Sequence, residues 1–162
     1  MFSVGDKVAH PMHGAGVIDR IVTETIAGST QDYYVFRMPV GGLELKIPTA
    51  SSEKSGLRDV WEAAKSRRLL EELPSLEAAS FSGSWNQRSR ETMEQLKSGD
   101  LYQVARVIKS LIHRDSEKGL STGERKMLRT AKQILITEMV LSIGEDYQRI
   151  EERVNLSILG GT

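Results

Sequence analysis

The chain contains no cysteine, and this absence excludes several classes of site at once. Disulfide scaffolds, thiol nucleophiles, cysteine-ligated zinc sites and iron–sulfur clusters all require that residue. A long apolar run is also lacking, because the best candidate, residues 134–143, is half the length of roughly 20 residues that a membrane-spanning helix needs. Residues 1–7 lack the basic and apolar regions of a secretory signal peptide. We therefore expect a soluble intracellular protein.

Net charge is absent as well, since 22 basic residues balance 22 acidic ones. A uniformly basic nucleic-acid-binding surface is therefore excluded. The charge is nevertheless unevenly distributed: residues 81–130 carry ten basic and six acidic residues, or +4, whereas residues 1–60 carry −1. This asymmetry predicts that an anionic partner would meet the basic segment. The alternative is that the excess only reflects the charged outer faces of ordinary helices.

The first sixty residues have the composition of β-strands, being rich in Val, Ile, Tyr and Phe between glycine- and proline-containing turns. The segment 43–47 alternates cleanly, which predicts that Leu43, Leu45 and Ile47 share one face. Five short antiparallel strands bury little surface unless the sheet bends strongly, so we predict a small β-barrel. The strands are expected at residues 7–10, 15–26, 32–38, 43–47 and 56–60.

After Trp61 the apolar period changes to that of helices. Ser121 and Glu124 form a capping-box pattern, and Asp100 with Gln103 forms a second one. We predict helices at residues 62–73, 86–97, 100–112, 121–143 and 145–155. The expected organisation is an α+β protein with a barrel module at residues 1–60, a helix and linker at 61–84 and an all-α helical bundle at 85–162.

Few residues suggest catalysis or metal binding. His10 and His13 lie on an extended segment and are expected to point to different faces, with no third ligand nearby in sequence. A nucleophile–base arrangement, a P-loop and a paired-carboxylate motif are all missing. We predict neither an enzyme, nor a metal site, nor a cofactor. A small hydrolase remains a minor hypothesis that would require His10, His13 and a carboxylate to converge.

Trp85 stands between the polar loop 81–84 and a helix that carries Arg88 and Arg90. An indole beside guanidinium groups suits nucleic acid, because arginines contact phosphates while the ring wedges or stacks against bases. The alternative is that Trp85 packs the loop onto the bundle. Arg125, Lys126 and Arg129 form a second basic cluster at a helix start, where a phosphate would be favourable, although they could equally be a solvated face.

Many segments of the chain resemble CarD/CdnL-type bacterial transcription regulators. In the first half the similar segments are 4–8, His10-Pro11, His13-Gly14, 41–48 and 56–60. In the second half they are Trp85 and residues 96–100, 105–107, 119–121, 123–128 and 131–135. The resemblance covers nearly the whole chain in order, which a single short motif could not produce.

The resemblance implies a Tudor/SH3-like barrel that binds the β subunit of RNA polymerase. It also implies a helical domain that contacts promoter DNA at the upstream edge of the transcription bubble and stabilises the open complex. Small-molecule ligands and membranes are not expected partners. The implied location is the cytoplasm, with association to the nucleoid through the polymerase.

Residue by residue, the resemblance assigns Trp85 as the wedge in the splayed minor groove. The DNA-contacting basic residues map onto Arg88, Arg90, Arg125 and Lys126. In the barrel, the polymerase-contacting positions are Lys46, beside Pro48, and Glu24.

The barrel positions depart from the family pattern. Glu24 stands where some members have arginine, so that contact is weakened or replaced. Lys46 stands where arginine is also used, and a lysine cannot form the bidentate fork to a carboxylate.

One other binding function stays open at this point, and a second relative of the barrel is excluded. The helical half could bind another protein, which would make the chain an adaptor without direct DNA contact. The same barrel type also occurs in the transcription-repair coupling factor, but a chain of 162 residues has no room for that helicase's ATPase domains.

Overall fold

The protein has an antiparallel sheet of five strands followed by five helices in the computed structural model, which describes residues 1–81 and 83–160. The predicted α+β organisation is thereby confirmed. Residue 82, in the predicted loop, and residues 161–162, at the end of the predicted helical domain, lie outside the described residues. The strands are β1 (Lys7–His10), β2 (Gly14–Ile26), β3 (Ser29–Arg37), β4 (Glu44–Pro48) and β5 (Arg58–Asp59). The helices are α1 (Ala63–Glu72), α2 (Trp85–Lys97), α3 (Leu101–Lys118), α4 (Thr122–Ile143) and α5 (Tyr147–Leu159).

The strands follow the order β4-β3-β2-β1-β5, so β4 and β5 occupy the two edges of the sheet. A bulge between Ile18 and Arg20 bends β2, the longest strand. One face of the bent sheet encloses a small core. Its buried members come from all parts of the sheet domain: Val8, Ile18, Tyr34, Phe36, Met38, Ile47 and Leu57.

Burial falls towards Leu43 along the segment 43–47, whose alternation predicts that Leu43, Leu45 and Ile47 share one face. Ile47 is buried and Leu45 is half-buried, whereas Leu43 is 49% exposed. Leu43 precedes β4 and follows the turn residues Gly41 and Gly42, both with positive φ. The backbone N–H of Met38 donates to the carbonyl of Leu43, so the exposure of Leu43 reflects its place at the end of the strand pair.

The helix starts are capped as the sequence indicates, with one difference. Ser121 and Glu124 make both hydrogen bonds of the predicted capping box at α4. At α3 the carboxylate of Asp100 accepts from the backbone N–H of Tyr102, and the capping box predicted with Gln103 is not formed. Helix α3 also continues to Lys118, beyond the predicted end at Ile112. Its last turns carry polar residues on the surface, so the apolar period ends before the helix does.

Helix α4 is the centre of the molecule, because it packs against α1, α3, α5 and the sheet. Of the predicted buried stripe, Ala131, Leu135 and Met139 are fully buried and Leu128 is half-buried. Thr137 and Glu138 are buried as well, although a one-sided stripe would leave them outside. They are buried because the sheet covers a second side of α4.

Polar contacts join the β1–β2 turn to α4. The backbone N–H of Ala15 donates to Thr137 Oγ1 over 2.9 Å, and Gln133 Nε2 donates to the carbonyl of His13 over 2.9 Å. Gly14 has a φ of 103° and lies so close to α4 that a Cβ atom there would collide with Thr137 and the backbone of Gln133. The turn therefore requires glycine for both its conformation and its close approach.

A buried ion pair forms the second link between the sheet and the helices. The Glu138 side chain is 1% exposed and accepts two hydrogen bonds from Arg58, at 2.7 and 2.9 Å. Glu138 also accepts from the backbone N–H of Trp61 at 2.8 Å, and Arg58 reaches the carbonyl of Gly99. The Arg58–Glu138 pair thus connects β5, the segment before α1 and the α2–α3 connection to α4.

Within the described residues, no helix combines the length and apolar character needed to cross a membrane.

We predict that Glu138→Ala lowers the free energy of unfolding by about 3 kcal/mol, since it removes the carboxylate that pairs with Arg58 and the acceptor of the Trp61 N–H. The lower end of the range for buried pairs applies because Arg58 keeps some solvent contact. Denaturant unfolding measures the change. The control is Glu145→Ala, an exposed glutamate just beyond α4. Equal stability of the two variants would contradict the prediction.

Candidate nucleic-acid and polymerase interfaces

Trp85 is the first residue of α2, and its side chain is partly open to solvent. The hydroxyl of Ser84, the N-cap, accepts from the backbone N–H of Gln87 and fixes the helix start. The six-membered ring of the indole lies against the backbone of Gly123, in the first turn of α4. Trp85 is nevertheless 41% exposed. The ring therefore rests on the bundle without being enclosed by it.

Two arginines and a glutamate surround the indole. Arg88, Arg114 and Glu124 line both of the cavities that adjoin Trp85. The Arg114 Nε lies 2.7 Å from Glu124 Oε2, and the Glu124 side chain is only 11% exposed. The same carboxylate accepts from the backbone N–H of Ser121. The cluster therefore joins residues from α2, α3 and α4.

The electrostatics of this cluster centre on Glu124. Burial alone would raise the pKa of its carboxyl group, but hydrogen bonds with Ser121 and the positive charges of Arg114 and Arg88 act in the opposite direction. The net result is a pKa below the usual glutamate value. The carboxylate therefore stays ionised and holds Arg114 beside the indole.

The other predicted DNA-binding residues have different positions relative to this cluster. Arg125 and Lys126 are exposed in the first turns of α4. Lys126 follows Gly123 by three residues, so both lie on the same side of that helix. Arg90 is also exposed, but it lies two residues after Arg88, about 200° further around α2. The structure therefore brings Trp85 and Arg88 together and leaves Arg90 on another side.

The predicted polymerase-binding residues lie on the outer face of the sheet. Lys46, on the edge strand β4, forms an ion pair with Glu24 of β2 across the intervening β3. Both side chains are partly exposed. Pro48, two residues beyond Lys46, lies opposite Tyr33 of β3. All three predicted residues are thus near one another, and the charge of Lys46 already has an internal partner.

A second group of ion pairs continues along the same face. Arg20 lies on it because Arg20, Val35 and Lys46 are in register across the three strands. Arg20 and Arg37 each approach the carboxylates of both Asp19 and Glu44, at distances of 2.8–3.5 Å. The face is therefore rich in charge yet locally balanced.

Comparison with known proteins assigns most of the chain to one family. The family model "CarD-like/TRCF RID domain" matches residues 2–61, and the model "CarD, C-terminal domain" matches residues 68–155. The chain belongs to the CarD family. The "Putative transcription factor YdeB" of Bacillus subtilis (strain 168) is 30% identical over 151 residues, which cover 93% of this chain and 98% of that protein.

A solved structure also matches part of this CarD-like protein. The solution NMR structure of the 72-residue N-terminal domain of Myxococcus xanthus CarD is 24% identical and has a TM-score of 0.33. The match covers 36% of this chain and 79% of that one. With such a TM-score it adds nothing to the family assignment.

Membership of the family confirms the resemblance found in the sequence. The protein is a CarD-like transcription factor, and its RID domain is an RNA polymerase-interacting domain. The family is not enzymatic, in agreement with the prediction of no enzyme.

His10 and His13 of this CarD-like protein are arranged differently from the prediction. The rings of His10 and His13 lie together, with centroids 4.7 Å apart, because residues 11–13 form a turn. Burial and the neighbouring His13 lower the pKa of His10. Within residues 1–81 and 83–160, no group of three or more His, Cys, Asp or Glu side chains could hold a metal ion. The histidine pair therefore lacks the further ligands that a metal site needs.

Part of the basic excess in residues 81–130 serves the fold. Lys109 is only 7% exposed, and its Nζ donates to the carbonyls of Leu73 and Pro74 at 2.9 and 2.8 Å. Its burial lowers the pKa of the ammonium group. Arg106 Nε donates to the carbonyl of Glu77. The charge available to a partner is consequently smaller than +4.

Sequence reasoning missed three members of the Trp85 cluster, namely Arg114, Gly123 and Glu124. Glu124 was recognised only as a capping residue. The short connection between α3 and α4 offered a signal, because it places the end of α3 beside the start of α4. Arg114 stands in that last part of α3, four residues before Lys118.

We predict that the stabilising effect of Glu124 depends on pH. Its pKa is lower in the folded than in the unfolded protein, so the stabilisation is complete above the unfolded value of about 4.3 and is lost as the pH falls through the folded value. Glu124→Gln should cost about 1–2 kcal/mol at neutral pH.

This cost should shrink in denaturant unfolding as the pH falls below the unfolded value of about 4.3. Glu117→Gln, at an exposed position in α3, is the matched control. A cost that stays constant across this range would refute the electrostatic role.

Proposed function

We propose that this CarD-like protein binds the β subunit of RNA polymerase through the outer face of its sheet, at Lys46 and Pro48. The helical region then contacts promoter DNA at the upstream edge of the transcription bubble, where Trp85 acts as a wedge and stabilises the open complex. The broader family role is that of a transcription factor that interacts with RNA polymerase. Binding to the β subunit, contact with promoter DNA and the wedge function of Trp85 go beyond that role.

The observation that carries the proposal is the position of Trp85. Trp85 is 41% exposed at a helix start, with Arg88 and Arg114 beside it. A tryptophan whose only role is packing is usually more deeply buried. The ring offers a stacking surface to an unpaired base, and the adjacent guanidinium groups suit phosphates. Exposed Arg125 and Lys126 would extend the phosphate-binding surface along α4.

The modest charge of the helical region predicts weak, salt-dependent DNA binding by the free protein. Attachment to the polymerase would raise the effective concentration of Trp85 at the bubble. The contacts of Glu138 and Thr137 favour this arrangement, since they connect the sheet to the helices directly. Because a stabilised bubble also slows promoter escape, the effect on transcript output depends on which step limits at each promoter.

We predict that Trp85→Ala shortens the lifetime of the open complex about tenfold, in line with the loss of one aromatic–base stack. Folding and polymerase affinity should stay unchanged, because Trp85 is partly exposed and distant in sequence from the sheet. The lifetime is measured from competitor-challenged complexes of polymerase on a bubble-forming promoter. The control is Trp61→Phe, a conservative change at the other tryptophan. An unchanged lifetime would remove the wedge from the mechanism and favour the adaptor alternative.

We predict that Lys46→Glu weakens polymerase binding at least about tenfold, because a carboxylate would replace the cation that faces the β subunit. Loss of the surface ion pair with Glu24 should cost less than about 1 kcal/mol of stability. Binding is measured with the intact protein and polymerase without DNA. The matched control is Lys54→Glu, an exposed lysine outside the strands. Equal losses in both variants would contradict a specific role for Lys46.

A further inference from the structure

We infer that Gly123 is a positioning residue for Trp85: the missing side chain at position 123 sets where the indole rests on α4 and how it is presented to DNA. The inference rests on the proposed function, since it concerns the residue that would contact the bubble. Gly123 would thus control the orientation of the wedge without contacting DNA itself.

The geometry of the contact supports this role. A Cβ atom built on Gly123 would lie 2.8 Å from Cζ2 and 3.0 Å from Cη2 of Trp85. These separations are well below the roughly 3.5–4.0 Å at which carbon atoms attract each other best. The edge of the indole therefore occupies the space that any other side chain would need.

The conformation of the backbone gives no other reason for glycine at this position. Gly123 is the second residue of α4 and is absent from the glycines with positive φ. In a helix, glycine is less favourable than alanine by about 1 kcal/mol. By contrast, Gly14 and Gly144 have φ values of 103° and 84°, which other residues rarely adopt. The close approach of Trp85 is thus the local feature that is incompatible with an alanine side chain at position 123.

The same turn of α4 fixes the charged neighbours of the indole. Glu124 follows Gly123 directly, closes the capping box with Ser121 and holds Arg114. Displacement of the ring from Gly123 would therefore change its position relative to Arg114 and Arg88, which stay in place. The expected consequence is a wedge that is present but wrongly oriented.

The test is Gly123→Ala in the full-length protein. The added methyl group should displace the indole, because Trp85 is a surface side chain that can rotate, while alanine suits the helix. We expect unfolding by denaturant to be unchanged or to shift to higher denaturant, and polymerase affinity to be unchanged. The open-complex lifetime should fall at least about fivefold, as expected for a weakened aromatic–base stack.

A direct readout of the ring is available because the chain has only two tryptophans. In a Trp61→Phe background the fluorescence reports Trp85 alone. Gly123→Ala should change the emission maximum and increase quenching by acrylamide, whereas Ser116→Ala should change neither. Ser116 is an exposed residue of α3 that lines neither cavity beside Trp85, so its replacement improves helix propensity without altering the surroundings of the indole.

A double variant separates an effect through the ring from a general one. In the Trp85→Ala background, Gly123→Ala should shorten the lifetime no further, since no indole remains to be displaced. A further loss in that background would overturn the inference. So would a Gly123→Ala protein with unaltered lifetime, or one whose stability and polymerase affinity fall together.

The outcomes also distinguish the inference from the proposed function. If Trp85→Ala leaves the lifetime unchanged, the proposed function fails, whatever Gly123 does. If Trp85→Ala shortens the lifetime and Gly123→Ala does not, the proposed function stands and the positioning role of Gly123 is rejected. If each substitution shortens the lifetime and their effects are not additive, the proposed function and the positioning role of Gly123 are both supported.

Discussion

The attachment of the sheet to α4 is the constraint on which the rest of the structure depends. Glu138, buried in α4, binds Arg58 and the Trp61 backbone, while Thr137 binds the backbone of Ala15. A buried carboxylate is costly unless every lone pair finds a donor, so these contacts strongly favour one relative position of the two parts. When the sheet is bound to the polymerase, these contacts between the sheet region and α4 determine the position of the Trp85 cluster relative to the polymerase.

The strands and helices were predicted well from the sequence, whereas the contacts between the sheet region and α4 were predicted poorly. Strands and helices follow from local patterns: the Ser121–Glu124 capping box and the buried Ala131, Leu135 and Met139 were all anticipated. Thr137 and Glu138 carry no such signal, because a polar residue between apolar ones in a helix normally faces solvent. Their burial results from the second covered side of α4, which is a tertiary property that periodicity does not contain.

The candidate sites show the same division. The proximity of Trp85 and Arg88 was predictable from their three-residue spacing at a helix start, whereas the exposure of the indole was left open. The family resemblance supplied Lys46, Pro48 and Glu24. The ion pair between Lys46 and Glu24 was not, since it spans the intervening strand β3 and depends on register. Arg114 was not assigned to the Trp85 cluster from sequence either, because the predicted third helix ended at Ile112 and three helices meet at this cluster.

Charge explains why such a protein would need both parts. Lys109 and Arg106 bind backbone carbonyls and Arg114 is paired with Glu124, so several cations of the basic segment already have partners. The positive charge that remains for phosphates is modest, and DNA affinity is weak when a protein neutralises only a small number of phosphates. A weakly binding wedge acts efficiently only when something else delivers it to the bubble. The balanced outer face of the sheet suits that delivery, because paired surface charges favour specific protein contacts over non-specific attraction to nucleic acid.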